Sequence, residues 1–263
     1  VNHQAISAFL LGLLQGLTEF IPISSTGHLI LAEQLFGFQG PPGKIFEVVI
    51  QLGSAFAVLV AYFDRLYNLA KKVPTSPKDR HFFLMLIVAT IPAALLGLVF
   101  HHTVKDYLYN PITVACSLIF GGLVFLWIEW LKPSITCGVP ENVSTRQAVC
   151  VGLAQSVALI PGISRSGATI ASARYFGLSP RAATEFSFFL AVPILIGAGF
   201  FDLFSYISVL SFNDIISLSA GFISSFISSS LVLRPLIGSI ERYGFAPFAY
   251  YRIILGVLIL WMI

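Results

Sequence analysis

The chain has 263 residues, of which 57% are hydrophobic and 10% charged, with a net charge of +3. An ordinary soluble domain is about 25% charged, so this composition excludes a soluble globule and points to one polytopic helical domain in a membrane. No basic patch with interleaved aromatics supports a nucleic-acid role, and Cys116, Cys137 and Cys150, with neither metal spacing nor a paired framework, read as free thiols. The first residues, VNHQ, lack the basic start and cleavage site of a signal peptide.

Residues 5–20 are apolar and helix-prone, PISSTG interrupts them, and 28–36 resume before Gly37. The two pieces would be roughly 24 Å and roughly 14 Å long at a helical rise of about 1.5 Å per residue. Neither spans a bilayer comfortably, so a broken helix over 5–37 that enters and returns on one side fits better. Such irregular backbone is tolerated at membrane depth only where protein buries it or where it lines a wet cavity. Three full spans are predicted next, near 45–63, 82–101 and 111–131, followed by a linker over 132–145.

The plan then repeats. Residues 146–160 are apolar, PGISRSG breaks them, and 168–176 resume before Gly177, giving a second hairpin over 146–177 and spans near 183–203, 214–233 and 246–263. QGLTEFIPISSTGH (15–28) aligns without a gap on QSVALIPGISRSGA (155–168), Gln15 falling on Gln155, Ser24 on Ser164 and Gly27 on Gly167. Asn110-Pro111 and Ala246-Pro247 likewise open the third span of each half. One hairpin plus three spans is an odd number of crossings, so the second repeat (146–263) sits upside down relative to the first (1–131), the plan described for transporters. The expected fold is therefore all-α: six transmembrane helices plus two re-entrant helical hairpins in an inverted-topology repeat. With both termini outside, the inner segments hold Arg65, Lys71, Lys72, Lys78, Arg80, Lys132, Arg146, Arg174, Arg181, Arg234 and Arg242, and the outer ones little beyond Lys44 and Lys105, as the positive-inside rule requires.

The two breaks carry the chemistry. Glu19 lies one turn from Gln15 on a helix face, and a carboxylate within a membrane segment is expensive and usually functional. Ser24, Ser25 and Thr26 precede a new helix, as do Ser164, Arg165 and Ser166. Such residues cap helices, and a helix N-terminus is also an anion site. Gly27 and Gly167 stand in the first turns. Arg165 presents a planar fork suited to phosphate. Two helix N-termini, five hydroxyls and one guanidinium make a site for a multiply charged anion. Glu19, His28 and Ser25 add a base and a nucleophile: Ser25 assisted by His28 or Glu19, or His28 itself, could attack phosphorus. Glu19 and Gln15 could hold a hard divalent cation. A lipid phosphate fits, its head in the polar pocket and its tail in the bilayer. Glu47, near Gln51, is either a boundary charge or a further ligand supporting Glu19, and Glu185 an interfacial acid facing Arg181. The rival reading is a lipid-phosphate transporter or flippase using the same anion site.

QGLTEFIPISSTGH resembles the first signature of the bacterial undecaprenyl-diphosphate phosphatases, the family linked to bacitracin resistance, and PGISRSGAT (161–169) its second; FEVVIQLGS (46–54) also looks like family sequence. The resemblance covers essentially the whole chain. It implies hydrolysis of undecaprenyl diphosphate to the monophosphate and phosphate, which recycles the lipid carrier of cell-wall polymers. It also implies a bacterial inner-membrane protein with its site open to the outer face, and dependence on Mg²⁺ or Ca²⁺. By resemblance, Glu19, Ser25, His28 and Arg165 are catalytic, with Ser24, Thr26, Gly27, Ser164, Ser166 and Gly167 holding phosphate. Gln15 stands where many members have Glu, keeping an oxygen but losing a charge. A homodimer is left open. A different lipid phosphatase superfamily, with Ser-Arg followed by His and Asp, is rejected because SGATIASARYF after Arg165 contains neither.

Overall fold

A computed structural model describes residues 3–41 and 44–263, apart from the side chains of 101–103, 105 and 106. Val1 and Asn2 of the VNHQ start, and the Lys105 charge, fall outside it. Eleven α-helices carry the described chain: α1 (His3–Thr18), α2 (Ser25–Phe36), α3 (Ile45–Ala61), α4 (Phe63–Lys72), α5 (Pro77–Thr103), α6 (Pro111–Leu131), α7 (Thr145–Val157), α8 (Arg165–Tyr175), α9 (Pro180–Tyr206), α10 (Phe212–Tyr243) and α11 (Ala246–Met262). The chain is an all-α polytopic membrane protein. α5, α6, α9 and α10 are long and apolar enough to cross a bilayer, and α3 with α4 makes a fifth candidate bent by 74°. α11, at 17 residues, falls just short of the roughly 20 that a straight span needs. Large apolar side chains such as Leu98, Phe120, Phe204 and Trp261 face outward, as a lipid solvent permits.

Local sequence explains the helix limits. Asn110 caps α6, with Pro111 in its first turn; Ser144 and Gln147 form a capping box at α7; Ser211 and Asp214 form another at α10. Each device satisfies backbone donors that a helix start leaves free. The span predicted near 82–101 runs further, from Pro77 to Thr103, because Pro77 opens the helix within the basic segment. The span predicted near 214–233 likewise continues to Tyr243. The span predicted over 45–63 stops at Ala61, and Tyr62 turns the chain into α4.

α10 is the central post, packed along α1 and α3, while α6 pairs with α11 and α5 with α7. The α1–α10 contact is close because Gly12 and Gly16 face Gly221, Ser224, Ser225 and Ser228. Ser229 Oγ donates to the Gly16 carbonyl and to Ser54 Oγ, and Ser225 Oγ donates to the Ile50 carbonyl. Small residues that let backbones approach, with hydroxyls as interhelical glue, are the packing mode expected where lipid supplies no hydrophobic drive.

One end of the bundle is tied by charge. Arg65 of α4 donates to Glu141 in the linker and, at 2.6 Å, to Glu185 of α9, which also accepts from Arg181 at 3.1 Å. Glu185 is thus the acid facing Arg181, with Arg65 added. Beside it Cys137 pairs with Leu178 in an isolated bridge. Cys116, Cys137 and Cys150 are all free thiols, and burial pushes the Cys137 thiol above its ordinary range.

Candidate functional site

The two breaks fall between α1 and α2 and between α7 and α8, and they share one backbone geometry. Ser24 has φ 71°, ψ 92° and Ser164 has φ 71°, ψ 115°. Positive φ is unusual for a residue with a Cβ and stores of order 1–3 kcal/mol of strain. In each copy the serine side chain accepts from the glycine N–H three residues on, Gly27 at 3.3 Å and Gly167 at 3.1 Å, so both serines cap the helix that follows. A side chain at Gly162 would meet the Val114 carbonyl at 2.6 Å, and its φ is +95°, which suits only glycine.

The breaks meet. Ser166 Oγ donates to the Ile21 carbonyl at 3.4 Å and lies 3.1 Å from Ser164 Oγ. Glu19, 7% exposed, is the junction. Its Oε2 accepts from Gln15 Nε2 at 2.8 Å and from Ser25 Oγ at 2.7 Å, and its Oε1 accepts from Arg165 Nη2 at 2.7 Å. Charge-assisted bonds this short are the strong kind. Arg165 also donates from Nη1 to the Ser187 carbonyl at 3.2 Å, while its buried Nε has no hydrogen-bond partner. A guanidinium beside a carboxylate, with its Nε still unpartnered, can receive an anion by exchanging its partner. Phe20 packs edge-on against Phe188 at 5.2 Å beneath it.

His28 lies a turn further along α2. Its Nδ1 is 2.7 Å from the Ser24 carbonyl, which can only accept, so Nδ1 carries the proton. Nε2 of the neutral ring then accepts from the Tyr251 hydroxyl at 2.6 Å, and the two rings stack at 5.6 Å with 7° between their planes. Thr26 hydrogen-bonds Tyr109. The sequence-predicted residues are therefore placed as follows: Gln15, Glu19, Ser25 and Arg165 form one bonded cluster; Ser24, Gly27, Ser164, Ser166 and Gly167 form the two helix starts around it; His28 faces α11. Glu47 pairs with Lys44 at 3.7 Å, the boundary-charge reading rather than support for Glu19.

Two residues of α11 escaped the sequence reading, Tyr251 and the fully buried Arg252. A signal was available, since an ionisable residue within a membrane helix is functional by default.

A divalent cation finds partial provision. Gln15 is 0% exposed, and because its Nε2 must face the Glu19 carboxylate, its Oε1 is fixed and has no partner. An orphan amide oxygen beside a carboxylate is the donor type that Mg²⁺ or Ca²⁺ takes. No group of three or more His, Cys, Asp or Glu suited to a metal occurs among the described residues, so the fit requires oxygens from the ligand itself.

Comparison with known proteins identifies the family. Residues 8–258 match the family described as bacitracin resistance protein BacA. The chain is similar to an undecaprenyl-diphosphatase of Methylobacillus flagellatus, 44% identical over 260 residues that cover 97% of this chain and 96% of that one. It is 45% identical to one of Ralstonia nicotianae, covering 97% and 94%. It is 44% identical to one of Acinetobacter baumannii, covering 98% and 96%. With a match this extensive and both breaks built around one Glu–Arg junction, the chain belongs to the BacA bacitracin resistance protein family.

Proposed function

We propose that this chain hydrolyses undecaprenyl diphosphate to undecaprenyl phosphate and phosphate, recycling the lipid carrier of cell-wall polymers and so conferring bacitracin resistance. The observation that carries the reading is Ser25 Oγ donating at 2.7 Å to a Glu19 carboxylate whose other oxygen is held by Arg165. A transporter of the same anion would need the helix starts and the arginine but no hydroxyl poised on a buried base. The relatives' activity weighs in the same direction.

In the proposed reaction the terminal phosphoryl group sits between the N-termini of α2 and α8, whose free N–H groups favour anions. Arg165 turns Nε and Nη2 onto its oxygens. Glu19 takes the Ser25 proton as Oγ forms a bond to phosphorus, and the bond from phosphorus to the bridging oxygen breaks, so that the lipid monophosphate leaves. The Tyr251 hydroxyl turns away from His28 Nε2, water attacks the phosphoserine and gives its proton to that nitrogen, and Ser25 departs and regains its proton from Glu19. His28 returns its proton to solvent, leaving free phosphate. Gln15 and Glu19 would hold Mg²⁺ or Ca²⁺ jointly with the diphosphate, and the ion when bound neutralises charge on those oxygens. The proposed setting is the bacterial inner membrane, with six crossing helices, α1–α2 and α7–α8 as inverted hairpins, and both termini and the site towards the outer face.

The test is phosphate release from a purified, lipid-reconstituted chain given a polyprenyl diphosphate with Mg²⁺ or Ca²⁺. One phosphate per substrate is expected, with activity lost in Ser25→Ala and a phosphorylated Ser25 trapped on rapid quenching. No release with either ion would reject the phosphatase; release without any trapped phosphoserine would replace the covalent route by direct attack of water.

A further inference from the structure

Arg252 is 0% exposed in α11, and its guanidinium donates to backbone carbonyls. Nε donates to Leu118 at 3.3 Å, Nη1 to Pro22 at 3.2 Å, and Nη2 to Ser117, Gly162 and Ile163 at 3.2, 3.1 and 3.0 Å. Two of these acceptors are equivalent positions in the two repeats. Pro22 stands two residues before Ser24 and Gly162 two residues before Ser164, at the same offset that aligns the motifs. One guanidinium therefore grips corresponding carbonyls of both breaks and ties them to α6. The face of Phe125 lies 5.4 Å from its carbon centre, and room for its tip exists only because residue 121 is glycine: a Cβ there would be 2.1 Å from Nη2.

We infer that Arg252 is the positioning residue of the site, a single clamp that sets the two strained breaks against each other so that Ser25 and Arg165 meet at Glu19. The inference rests on the phosphatase reading for its kinetic readout only. A guanidinium presents its N–H donors in a rigid fork, and here that fork reaches five carbonyls, one from Nε, one from Nη1 and three that share the two Nη2 hydrogens. A peptide unit is planar, so pinning the Pro22, Gly162 and Ile163 carbonyls fixes the planes that lead into Ser24 and Ser164. Those serines hold φ near +71°, a conformation that persists only when its surroundings over-determine it. Lysine cannot substitute: an ammonium is a compact donor of three N–H groups and cannot span Leu118, Pro22 and Ile163 together. Arg252 touches no reacting atom in this scheme and acts through the backbone of both motifs.

The experiment compares Arg252→Lys, Arg252→Met and Gly121→Ala with the wild type in lipid, reading kcat, KM and the rise in melting temperature caused by orthophosphate. All three variants are expected to lose at least 100-fold in kcat/KM and to lose the phosphate-induced rise. Gly121→Ala does so with the charge intact, which separates position from electrostatics. A folded variant at Arg252 that turns over within twofold of wild type overturns the inference. So does a lowered melting temperature with unchanged kcat per folded molecule, which marks Arg252 as structural only. If Arg252→Met does not insert, Arg252→Lys and Gly121→Ala decide; failure of all three to insert also assigns a structural role and overturns the positioning one. A wild type that releases no phosphate rejects the phosphatase reading alone, and the orthophosphate shift still tests the clamp.

Discussion

Glu19→Gln separates the two jobs assigned to Glu19, because the change keeps shape while removing charge. The carboxylate receives three donors, and the side chains of Arg165 and Glu19 are 12% and 6% exposed. Removing the charge leaves the guanidinium buried without an anion. Breaking a buried pair costs about 3–5 kcal/mol, and the amide oxygen left behind as an acceptor favours the lower end, about 3 kcal/mol in melting measurements without ligand. Loss of the base should lower kcat by about 10²–10⁴. Phosphate affinity should move the opposite way. In the wild type an incoming anion displaces a charge-assisted bond at 2.7 Å from Arg165 Nη2, and bonds to charged groups contribute about 1.5–3 kcal/mol. Without that competitor, orthophosphate should bind at least about tenfold more tightly, since roughly 1.4 kcal/mol is a factor of ten. Phosphate at about 100 times its Kd should return about 2.7 kcal/mol of the lost stability. The assays are phosphate release, orthophosphate titration calorimetry and thermal melting with and without phosphate. Turnover within threefold of wild type would remove Glu19 as the base; weaker phosphate binding would mean that Arg165 is not the anion's ligand.

Tyr251→Phe removes the hydroxyl that donates to His28 Nε2 at 2.6 Å while keeping the ring stack. Because the hydroxyl occupies the lone pair that must take the water proton, a gain of about 1 kcal/mol, up to roughly fivefold in the dephosphorylation rate, is expected from single-turnover kinetics, and a fall in that rate would mean that His28 is not the base. Gly16→Ala places a Cβ 2.0 Å from Ser228 Oγ and 2.3 Å from the Ser225 carbonyl oxygen. Overpacking of this kind costs about 1–3 kcal/mol, so thermal melting should fall by several degrees; an unchanged transition would mean that the α1–α10 seam is loose.

The junction was legible because its parts are side chains in two gapless motifs. Glu19, Ser25 and Arg165 are each anomalous in apolar sequence, and each implies the others by charge. The clamp was not legible, because Arg252 bonds to backbone carbonyls, and every residue has one. Nothing in the identities of Pro22, Leu118 or Ile163 announces a partner in α11. An arginine beside two tyrosines in YYRI near a predicted span start also looks like an interfacial belt. His28 and Tyr251 show the same limit, since the motif fixed one and left the other 223 residues away in an ordinary apolar helix. The helix α4 hid for another reason: after the span over 45–63, Arg65, Lys71 and Lys72 read as a basic inner segment, and the turn at Tyr62 is fixed by Arg65 reaching Glu141 and Glu185, groups remote in sequence.

The grip of α11 on both breaks orders assembly in time. Ribosomes add about 5–20 residues per second, and Arg252 follows Arg165 by nearly ninety positions, so even the second motif is made roughly four to seventeen seconds before the residue that joins the two. During that interval Ser24 and Ser164 lack the contacts that make their backbone conformation tolerable, and the nascent protein is a membrane-inserted but unlatched precursor. Its maturation is a docking event of α11 against α6, so a pause in translation or insertion after α10 would accumulate chains that carry every motif residue and have no assembled site.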